Sequence, residues 1–538
     1  MKIKFILALF ILVSSIARSD DFYTIKLTQP YRMNYSNIHS GCITDDGGLL
    51  VLKSDKMNWS IVKFDSQMSL QSDTPIISDD TTVTNTISPI FTPLDLVRLN
   101  KKNYLVVAAK NIEEKKIFFF LQQVDNSGNK LYDLLQISYI TLEDIKSPIS
   151  FQVKVSDNHS FLSISHENEI LETEFKDGAF VESKYLVLEA IIYDHTKQQS
   201  KIHQINTKFL KKFTTVGNTL LSDNGYLIVP VKEEQNNTWR PSKIIETTTT
   251  VFITNDQFSF NRVDISLDNK VPSSMMFKLS PDQNNVIAQG FYSNIDNAFG
   301  GEDSDGTFCL NIDLNQHKIT SSTHQPFPEE LIASVNEKKE KKIYKGEGIS
   351  KDYVIKDVIF NNDSSSWLLF EKYYEKHSGS ASFDGYYGKS ITYCFETILA
   401  MKVDSESNIL SYNIIPKKQH TLNDNGIASS FIAIKNGSKL NLFFNDYIKN
   451  TSTDNIPFYK IKPMKNPKVS GLFHVQINEE GTMSKNLIRS TSAKDQLFVV
   501  PAFKIATDNN SFMGVATSST SFYSHDNINL SYFKLEKK

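Results

Sequence analysis

The sequence has few of the residues that cross-link or interrupt a chain. Its 538 residues include only three cysteines, 21 glycines and 16 prolines. Three cysteines are too few to form a disulfide scaffold in a chain of this length. A large hydrophobic core must therefore stabilise the fold. Cys42, Cys309 and Cys394 lie in or beside strand-like apolar runs, which is typical of small buried side chains. A single bridge between Cys309 and Cys394 stays open as the alternative.

The chain also lacks a basic excess and the usual catalytic motifs. Lys and Arg total 58 against 61 Asp and Glu, so no basic surface predicts a nucleic-acid partner. GxSxG, HExxH, CxxC and Walker A patterns are absent. The eleven histidines are scattered, and no two lie three or four residues apart as zinc ligands on one element would. We therefore expect no cofactor, no metal site and no nucleotide.

The first 19 residues have the pattern of a signal peptide. Lys2 and Lys4 precede an apolar stretch at residues 5–13, which is too short to span a bilayer. Ala17 and Ser19 are small residues at the positions that favour cleavage before Asp20. The pattern predicts export, to the periplasm or outside the cell, with a mature domain at residues 20–538. We expect no membrane span in that mature chain and a monomer. An uncleaved N-terminal anchor is the alternative.

Short apolar runs separated by Asn, Asp, Ser and Gly recur along the rest of the chain. Residues 353–446 are the clearest example, with YVIKDVIF, SSSWLLFEKYY and ETILAMKV in series. About eight units of roughly 40 to 65 residues follow this rhythm, each with about four strands, which is typical of radial repeats. The sequence predicts an all-β fold, a single β-propeller of seven to eight four-stranded blades. Two or three tandem β-sandwiches are the alternative.

The last unit supplies only three clear strands. We expect residues 22–29 (FYTIKLTQ) to add the fourth, so that pairing of the N-terminal and C-terminal strands closes the ring. Three stretches interrupt the rhythm. The third unit breaks after residue 166 and restarts at residue 170. Residues 190–214 have the composition of a connection, with a short helix near residues 208–212. Residues 327–348 are the best candidate for a helix in the chain.

Between Gly346 and Asp446 the chain contains a series of distinctive short segments, which include YVIKDVIF, LLFEKYY, AMKVDSESNIL, IIPKKQ, NDNG and LNLFFND. In these segments it resembles a family of uncharacterised exported β-propeller-like proteins, mostly from Bacteroidetes-type bacteria. Tyr412 stands where the family pattern has Trp, and the turn at residues 404–407 lacks a glycine. The resemblance implies a propeller fold and export. It implies no activity and no catalytic residues.

Polar residues at the ends of apolar runs are the candidate ligand-binding residues. In a propeller, such positions lie near one face, where ligands bind among the loops. Together they can bind a polar or anionic ligand such as a glycan or a carboxylate, while the alternative is that they cap strands and turns. The candidates are Glu371, Lys417, Lys418, Gln419, Asn445 and Asp446.

The sequence therefore favours an exported binding or interaction module for a glycan, a peptide or an envelope protein. The alternative is a propeller glycoside hydrolase that uses carboxylates dispersed in the sequence. A third possibility is that the chain is a purely structural envelope protein.

Overall fold

A computed structural model describes most of the chain. The described residues are 23–27, 31–33, 38–55, 58–76, 90–141, 150–176, 179–205, 209–236, 244–254, 259–294, 303–336, 348–381, 387–450, 460–467, 470–490, 498–507, 511–517 and 528–537. In this part of the chain, no helix is long and apolar enough to cross a membrane.

The described residues are mostly β-strands. In the first half, the strands are β1 Tyr23–Leu27, β2 Tyr31–Met33, β3 Ile38–Ile43, β4 Leu49–Asp55, β5 Asn58–Phe64, β6 Leu70–Ile76, β7 Ile90–Leu99, β8 Lys102–Asn111, β9 Lys116–Val124, β10 Leu135–Thr141, β11 Phe151–Val155, β12 Phe161–Lys176, β13 Ala179–Asp194, β14 Gln199–Gln204, β15 Phe209–Leu210, β16 Thr214–Val216, β17 Leu220–Leu221, β18 Leu227–Asn236, β19 Ile244–Thr254 and β20 Phe260–Ile265.

In the second half, the strands are β21 Lys270–Leu279, β22 Asn285–Asn294, β23 Asp303–Ser304, β24 Gly306–Asp313, β25 Lys318–Pro326, β26 Ile349–Ser350, β27 Tyr353–Phe360, β28 Ser366–Ala381, β29 Tyr387–Val403, β30 Ile409–Ile415, β31 Gln419–Leu422, β32 Ile432–Asn436, β33 Lys439–Tyr447, β34 Ser470–Ile477, β35 Met483–Ser490, β36 Phe498–Thr507, β37 Ser511–Thr517 and β38 Ile528–Lys537. One α-helix, α1 (Glu329–Val335), and a 3-10 helix at Lys211–Phe213 complete the described elements.

These strands form eight antiparallel sheets of four or five strands within the described residues. We number them as blades in chain order and letter their strands a to d from the inside outwards. Blade 1 is β3–β6, blade 2 is β7–β10, blade 3 is β11–β14 with β15 beside β13, blade 4 is β16–β20, blade 5 is β21, β22, β24 and β25, blade 6 is β27–β30 with β31 beside β29, blade 7 is β32–β35, and blade 8 is β36–β38 with β1 and β2.

The blades follow one another around a ring. Seven clusters of buried hydrophobic side chains each join two consecutive blades, from blades 1 and 2 through to blades 7 and 8. The inner strand of blade 8, β36, contacts the inner strand of blade 1, β3, so the series returns to its start. This arrangement confirms the predicted β-propeller and is incompatible with tandem β-sandwiches.

The position of a strand in its blade explains its sequence. The b strands are covered on both faces by neighbouring blades, so β8 is a continuous run in which residues 103–109 are all buried. The outer strand β6 instead alternates between exposed and half-buried positions. The polar character of outer strands explains why one prediction was wrong. Residues 190–214 were expected to be a connection, but they complete strand c and form the polar outer strand β14 of blade 3.

The two chain ends pair as predicted. Strand β1 is antiparallel to β38, with Tyr23 opposite Lys537 and Leu27 opposite Phe533. The N-terminal strand thus supplies the outer strand of blade 8 and covers the edge of β38.

The helix predicted within residues 327–348 is confirmed over α1, which buries Leu331 between blades 5 and 6. The three cysteines are buried and free, so the structure contains no Cys309–Cys394 bridge.

Inner strands of neighbouring blades are also joined by hydrogen bonds at β-bulges. The strand pairing of blade 2 is interrupted by a bulge between Pro93 and Asp95. Beside this bulge, the Leu96 amide donates a hydrogen bond to Ser40 Oγ of blade 1 at 2.8 Å. Ile355, at a bulge in blade 6, donates to Ser274 Oγ of blade 5 at 2.8 Å. These bonds fix adjacent blades to one another close to the centre of the ring.

Because every blade is an antiparallel meander, its loops divide between two faces. The a–b and c–d turns lie at one face, which we call the turn face. The b–c hairpins and the links between blades lie at the other, which we call the hairpin face. Two hairpins are much longer than the rest: strands b and c have 16 residues each in blade 3, and 16 and 17 in blade 6. The hairpin face therefore carries the longest hairpins of the two faces.

Candidate functional site

The structure brings five of the six predicted ligand-binding residues together. They lie at the hairpin face where blades 6 and 7 meet, on β28, on the link that leaves blade 6 and on β33. All five are at most 1% exposed. We call them the blade 6–7 cluster: Glu371, Lys417, Gln419, Asn445 and Asp446.

A buried ion pair forms one half of this cluster. Lys417 Nζ lies 2.6 Å from Glu371 Oε1 and donates to Gln419 Oε1 at 2.7 Å. Ser430 Oγ donates to Glu371 Oε2 at 2.6 Å. Burial lowers the pKa of Lys417, whereas the Glu371 carboxylate raises it. The two opposite charges thus compensate each other where neither meets solvent.

The other half of the cluster joins blade 7 to its neighbours. Asn445 Nδ2 donates to the carbonyl oxygens of Ala428 and Val499, at 2.8 and 2.7 Å. Burial raises the pKa of Asp446, and the nearby Lys485, whose Nζ lies 3.5 Å from Asp446 Oδ2, lowers it. These contacts run from the blade 6 link to the inner strand of blade 8.

The blade 6–7 cluster is a junction between blades rather than a surface. Its side chains bond to one another and to the backbone, and their burial leaves no charged group facing solvent. Lys418, the sixth predicted residue, is half-buried, and its carbonyl oxygen accepts a hydrogen bond from Met464 N at 2.8 Å. That these six residues bind a ligand stays a prediction.

Beside this junction, blade 6 carries a polar group that the sequence did not indicate. Glu396 Oε1 accepts a hydrogen bond from Tyr374 at 2.8 Å and lies 2.9 Å from His420 Nε2, while Lys372 Nζ is 3.9 Å from Oε2. Burial alone raises the pKa of Glu396, but the bonds from His420 and Tyr374 and the charge of Lys372 together hold it at about 2. Glu396 is thus a fully compensated anion.

A cleft of about 190 Å³ opens between blades 3 and 4. Blade 3 contributes residues from strands a, b and c, and blade 4 contributes residues from strands a, b and d. Its polar side chains are Gln152, Glu167 and Glu169 of blade 3 and Thr219 of blade 4. His166 and Glu189 also line the cleft, but the ladder places their side chains on the face of blade 3 that packs against blade 2. Val216, Val229 and Phe260 of blade 4 form an apolar wall.

The two faces of blade 3 carry different polar groups here: His166 and Glu189 lie on the blade 2 face, and Glu167 and Glu169 lie on the blade 4 face. His166 is 5% exposed and lies opposite Glu189 in the b–c ladder, with its Nε2 3.3 Å from Glu189 Oε2. The geometry between these atoms is not that of a hydrogen bond, and the buried Nε2 has no hydrogen-bond partner. Glu167 and Glu169 are exposed and stand on the same strand, with their side chains on one side of it.

The protonation states in the cleft follow from burial. Burial lowers the pKa of His166 to about 4, so its imidazole is neutral at pH 7. Burial also raises the pKa of Glu189, and it raises that of Glu167 against the opposing charge of Lys211. Blade 3 therefore has a neutral imidazole beside Glu189 on one face, and on the other face two exposed carboxylates that share the charge of Lys211.

The cleft was missed because its residues fell in an apparent break between strands. The third unit was interpreted as two stretches, residues 150–166 and 170–189, whereas β12 runs across the gap between them without interruption. Glu167 and Glu169 continue the alternation of that strand, and this period of two was the available signal. Among the described residues, no group of three or more His, Cys, Asp or Glu side chains is arranged to hold a metal ion.

Comparison with known proteins finds structural similarity at very low sequence identity. No family model matches the chain, and no curated protein matches it. The WD40 domain of SCAP from fission yeast is 10% identical with a TM-score of 0.39, and the match covers 96% of this chain and 98% of that chain. The Dos1 propeller is 9% identical with a TM-score of 0.38, covering 94% of each chain. Prolyl oligopeptidase B from Galerina marginata is 8% identical with a TM-score of 0.36, covering 90% of this chain and 56% of that chain.

Proposed function

We propose that the protein is an exported binding module whose ligand enters the cleft between blades 3 and 4. The observation that carries this proposal is the cleft itself, a cavity of about 190 Å³ in which the polar residues Gln152, Glu167 and Thr219 face apolar residues of blade 4. Ligand sites are concave, with a largely apolar lining and a few polar groups that orient the ligand.

The position of the cleft supports the same proposal. It lies beside the long hairpin of blade 3, on the face where the blade-to-blade links gather, and ligands of propellers bind among such loops. The blade 6–7 cluster offers no comparable opening, because its five side chains are at most 1% exposed. Export is supported by the signal-type sequence of residues 1–19.

A glycoside hydrolase is the second candidate. Glu167 and Glu169 line one cleft, burial raises the pKa of Glu167, and glycosidases use a pair of carboxylates, one of which has a raised pKa. A binding module needs the same groups only as hydrogen-bond acceptors. The two functions therefore differ in turnover and not in the residues that contact the ligand.

A pair of matched variants tests the proposal. Ser150 is exposed at the cleft, so Ser150→Trp should block it, whereas Ser405 is exposed on a c–d turn of the turn face and Ser405→Trp is the control. Residues 20–538 are screened on peptide and glycan arrays and against chromogenic glycosides. Hits are then measured again with both variants.

We expect the hits to be lost with Ser150→Trp and kept with Ser405→Trp. Retention of every hit by both variants contradicts the cleft as the binding site. Turnover of a glycoside that disappears in Glu167→Gln or Glu169→Gln establishes the hydrolase instead. Circular dichroism of both tryptophan variants checks that each remains folded.

A further inference from the structure

We propose that the inner edge of strand β28 is a docking site for an extended, acidic segment of a polypeptide partner, which adds to blade 6 as a further strand. Strand β28 belongs to the long hairpin of blade 6 and has 16 residues, whereas its inner neighbour β27 has eight. This surface lies on blade 6, so the inference is independent of the cleft between blades 3 and 4.

Strand β28 extends beyond the strand on its inner side. Its pairing with β27 ends at Lys372, whereas its pairing with β29 continues to Ala381. The Tyr373 amide donates to Asp352 O at 2.9 Å and so adds one more bond on the inner side. Beyond this bond, residues 375–381 have no paired strand on their inner side in the part of the chain that the structure describes. We call these residues the β28 edge.

The direction of the unpaired backbone groups follows from that last bond. Successive residues of a strand point their N–H and C=O groups to alternate sides, and β28 pairs with β29 without a bulge from Tyr373 onwards. The Tyr373 amide points inwards. The same direction is therefore taken by the backbone groups of Glu375, His377, Gly379 and Ala381. Within the described residues these inward groups form no backbone hydrogen bond, and such an edge is a template for a further strand.

The composition of the β28 edge favours pairing with another backbone. Residues 378–381 read Ser-Gly-Ser-Ala, so this part has neither bulky or charged side chains nor proline. Native sheets commonly protect an exposed edge with charges or proline. The long hairpin of blade 3 has such charges, because beyond its pairing with β11 strand β12 carries Glu167, Glu169, Glu172 and Glu174. The β28 edge is therefore the better template of the two.

The charges beside the β28 edge indicate an acidic partner. Lys376 is exposed, and its Nζ lies 5.3 Å from the centre of the Tyr374 ring. The neighbouring Glu375 carboxylate accepts a hydrogen bond from Tyr373 and lies 3.3 Å from His377 Nε2. Among the described residues, no carboxylate forms an ion pair with Lys376. Because opposite charges on paired strands attract each other, an acidic side chain in the docked segment supplies the missing partner.

The test selects binders from a displayed library of random dodecapeptides on residues 20–538. Each hit is synthesised with a fluorescent label, and its binding is measured by fluorescence polarisation. The decisive variant is His377→Pro, which removes one inward N–H and keeps the bonds between β28 and β29, because a strand tolerates proline where its N–H faces solvent. His377→Ala is the matched control, since it removes the same side chain and keeps the N–H. Circular dichroism checks that both variants remain folded.

We expect acidic hits whose affinity falls about tenfold or more in His377→Pro and stays within about twofold in His377→Ala. Lys376→Gln should weaken these hits by about twofold to fivefold. Methylation of alternate backbone amides in a hit should abolish binding, whereas methylation of the intervening amides should not. This probe leaves the protein unaltered, so it holds even where His377→Pro loses stability.

Three results overturn the inference: equal binding to the two His377 variants, a selection without hits, and binding that survives methylation of every amide in turn. Hits that lack acidic residues and bind Lys376→Gln unchanged overturn the acidic character of the partner. A set of hits that is lost only with Ser150→Trp overturns this inference and supports the proposed function.

Discussion

Lys417 Nζ lies 2.6 Å from Glu371 Oε1, and neither side chain has any exposed surface. Breaking such a pair leaves one buried charge without compensation, which typically costs about 3–5 kcal/mol. We expect Lys417→Met to lower the free energy of unfolding by about that amount, measured by urea denaturation. The loss arises at the junction of blades 6 and 7, so binding in the cleft of the folded variant should be unchanged.

The double variant Lys417→Met with Glu371→Gln is the control for this prediction. Removing both charges avoids the uncompensated carboxylate, so the double variant should be more stable than Lys417→Met alone. A double variant whose loss equals the sum of the two single losses would contradict a direct interaction between the two side chains.

This pair also shows how far sequence reasoning reaches. Both residues were singled out because they follow apolar runs, and the structure places Lys417 Nζ and Glu371 Oε1 in direct contact. Their burial was not predictable, because whether a strand end meets solvent depends on the adjacent blade. Asn445, for example, is enclosed by contacts to Ala428 and to Val499 of blade 8, which is 54 residues further along the chain.

The fold was easier to predict than the site because its signal is local and repeated. Runs such as that of β8 and turns such as residues 125–128 identify strands without knowledge of their partners. At that turn, Asp125 Oδ1 accepts the Ser127 and Asn129 amides, and Gly128 adopts a φ of 87°, as a hairpin turn requires. Outer strands such as β14 bury few side chains and so carry a weaker pattern.

Asp95 should make stability depend on pH. Burial raises its pKa from 3.8 to about 6, although hydrogen bonds from Ser40 and Leu96 oppose this shift. Between pH 6 and pH 4 the folded chain binds a proton at Asp95 that the unfolded chain does not, so this residue adds stability as the pH falls through that range. We expect Asp95→Asn to lose this gain.

The measurement compares urea midpoints of the two proteins at intervals from pH 7 to pH 4. Other carboxylates titrate equally in both proteins, so the difference isolates Asp95. A constant difference between the two curves across this range would show that Asp95 does not titrate there.

The pairing of the chain ends predicts a large effect of a small deletion. Removing residues 20–30 deletes β1 and exposes the edge of β38, whose residues 533–537 pair with it. We expect the shortened chain to be cleaved faster by protease and to aggregate, relative to residues 20–538. Limited proteolysis and size-exclusion chromatography measure both effects. An unchanged elution profile and cleavage rate would contradict closure of the ring by β1.

The three thiols should be unreactive until the chain unfolds. Burial raises the pKa of Cys42 to about 12 and that of Cys309 to about 11, and Cys394 has no exposed surface. Because the thiolate is the reactive form, we expect Ellman's reagent to detect almost no thiol in the native protein. After denaturation without reductant it should detect three. Detection of one thiol would instead establish a disulfide between two of the cysteines.

The burial of Glu189 predicts that removing its charge stabilises the protein. Burial raises the pKa of this carboxyl above its unfolded value, so its favourable contribution is present at low pH and is lost as the pH rises through the folded pKa. The folded protein therefore disfavours the ionised form of this group. We expect Glu189→Gln to raise the free energy of unfolding by a few tenths to about 1 kcal/mol, while Glu406→Gln stays within about 0.5 kcal/mol of the unaltered chain. Urea denaturation at pH 7 measures both. A loss of stability in Glu189→Gln would mean that the carboxylate contributes to folding through a contact that offsets its burial.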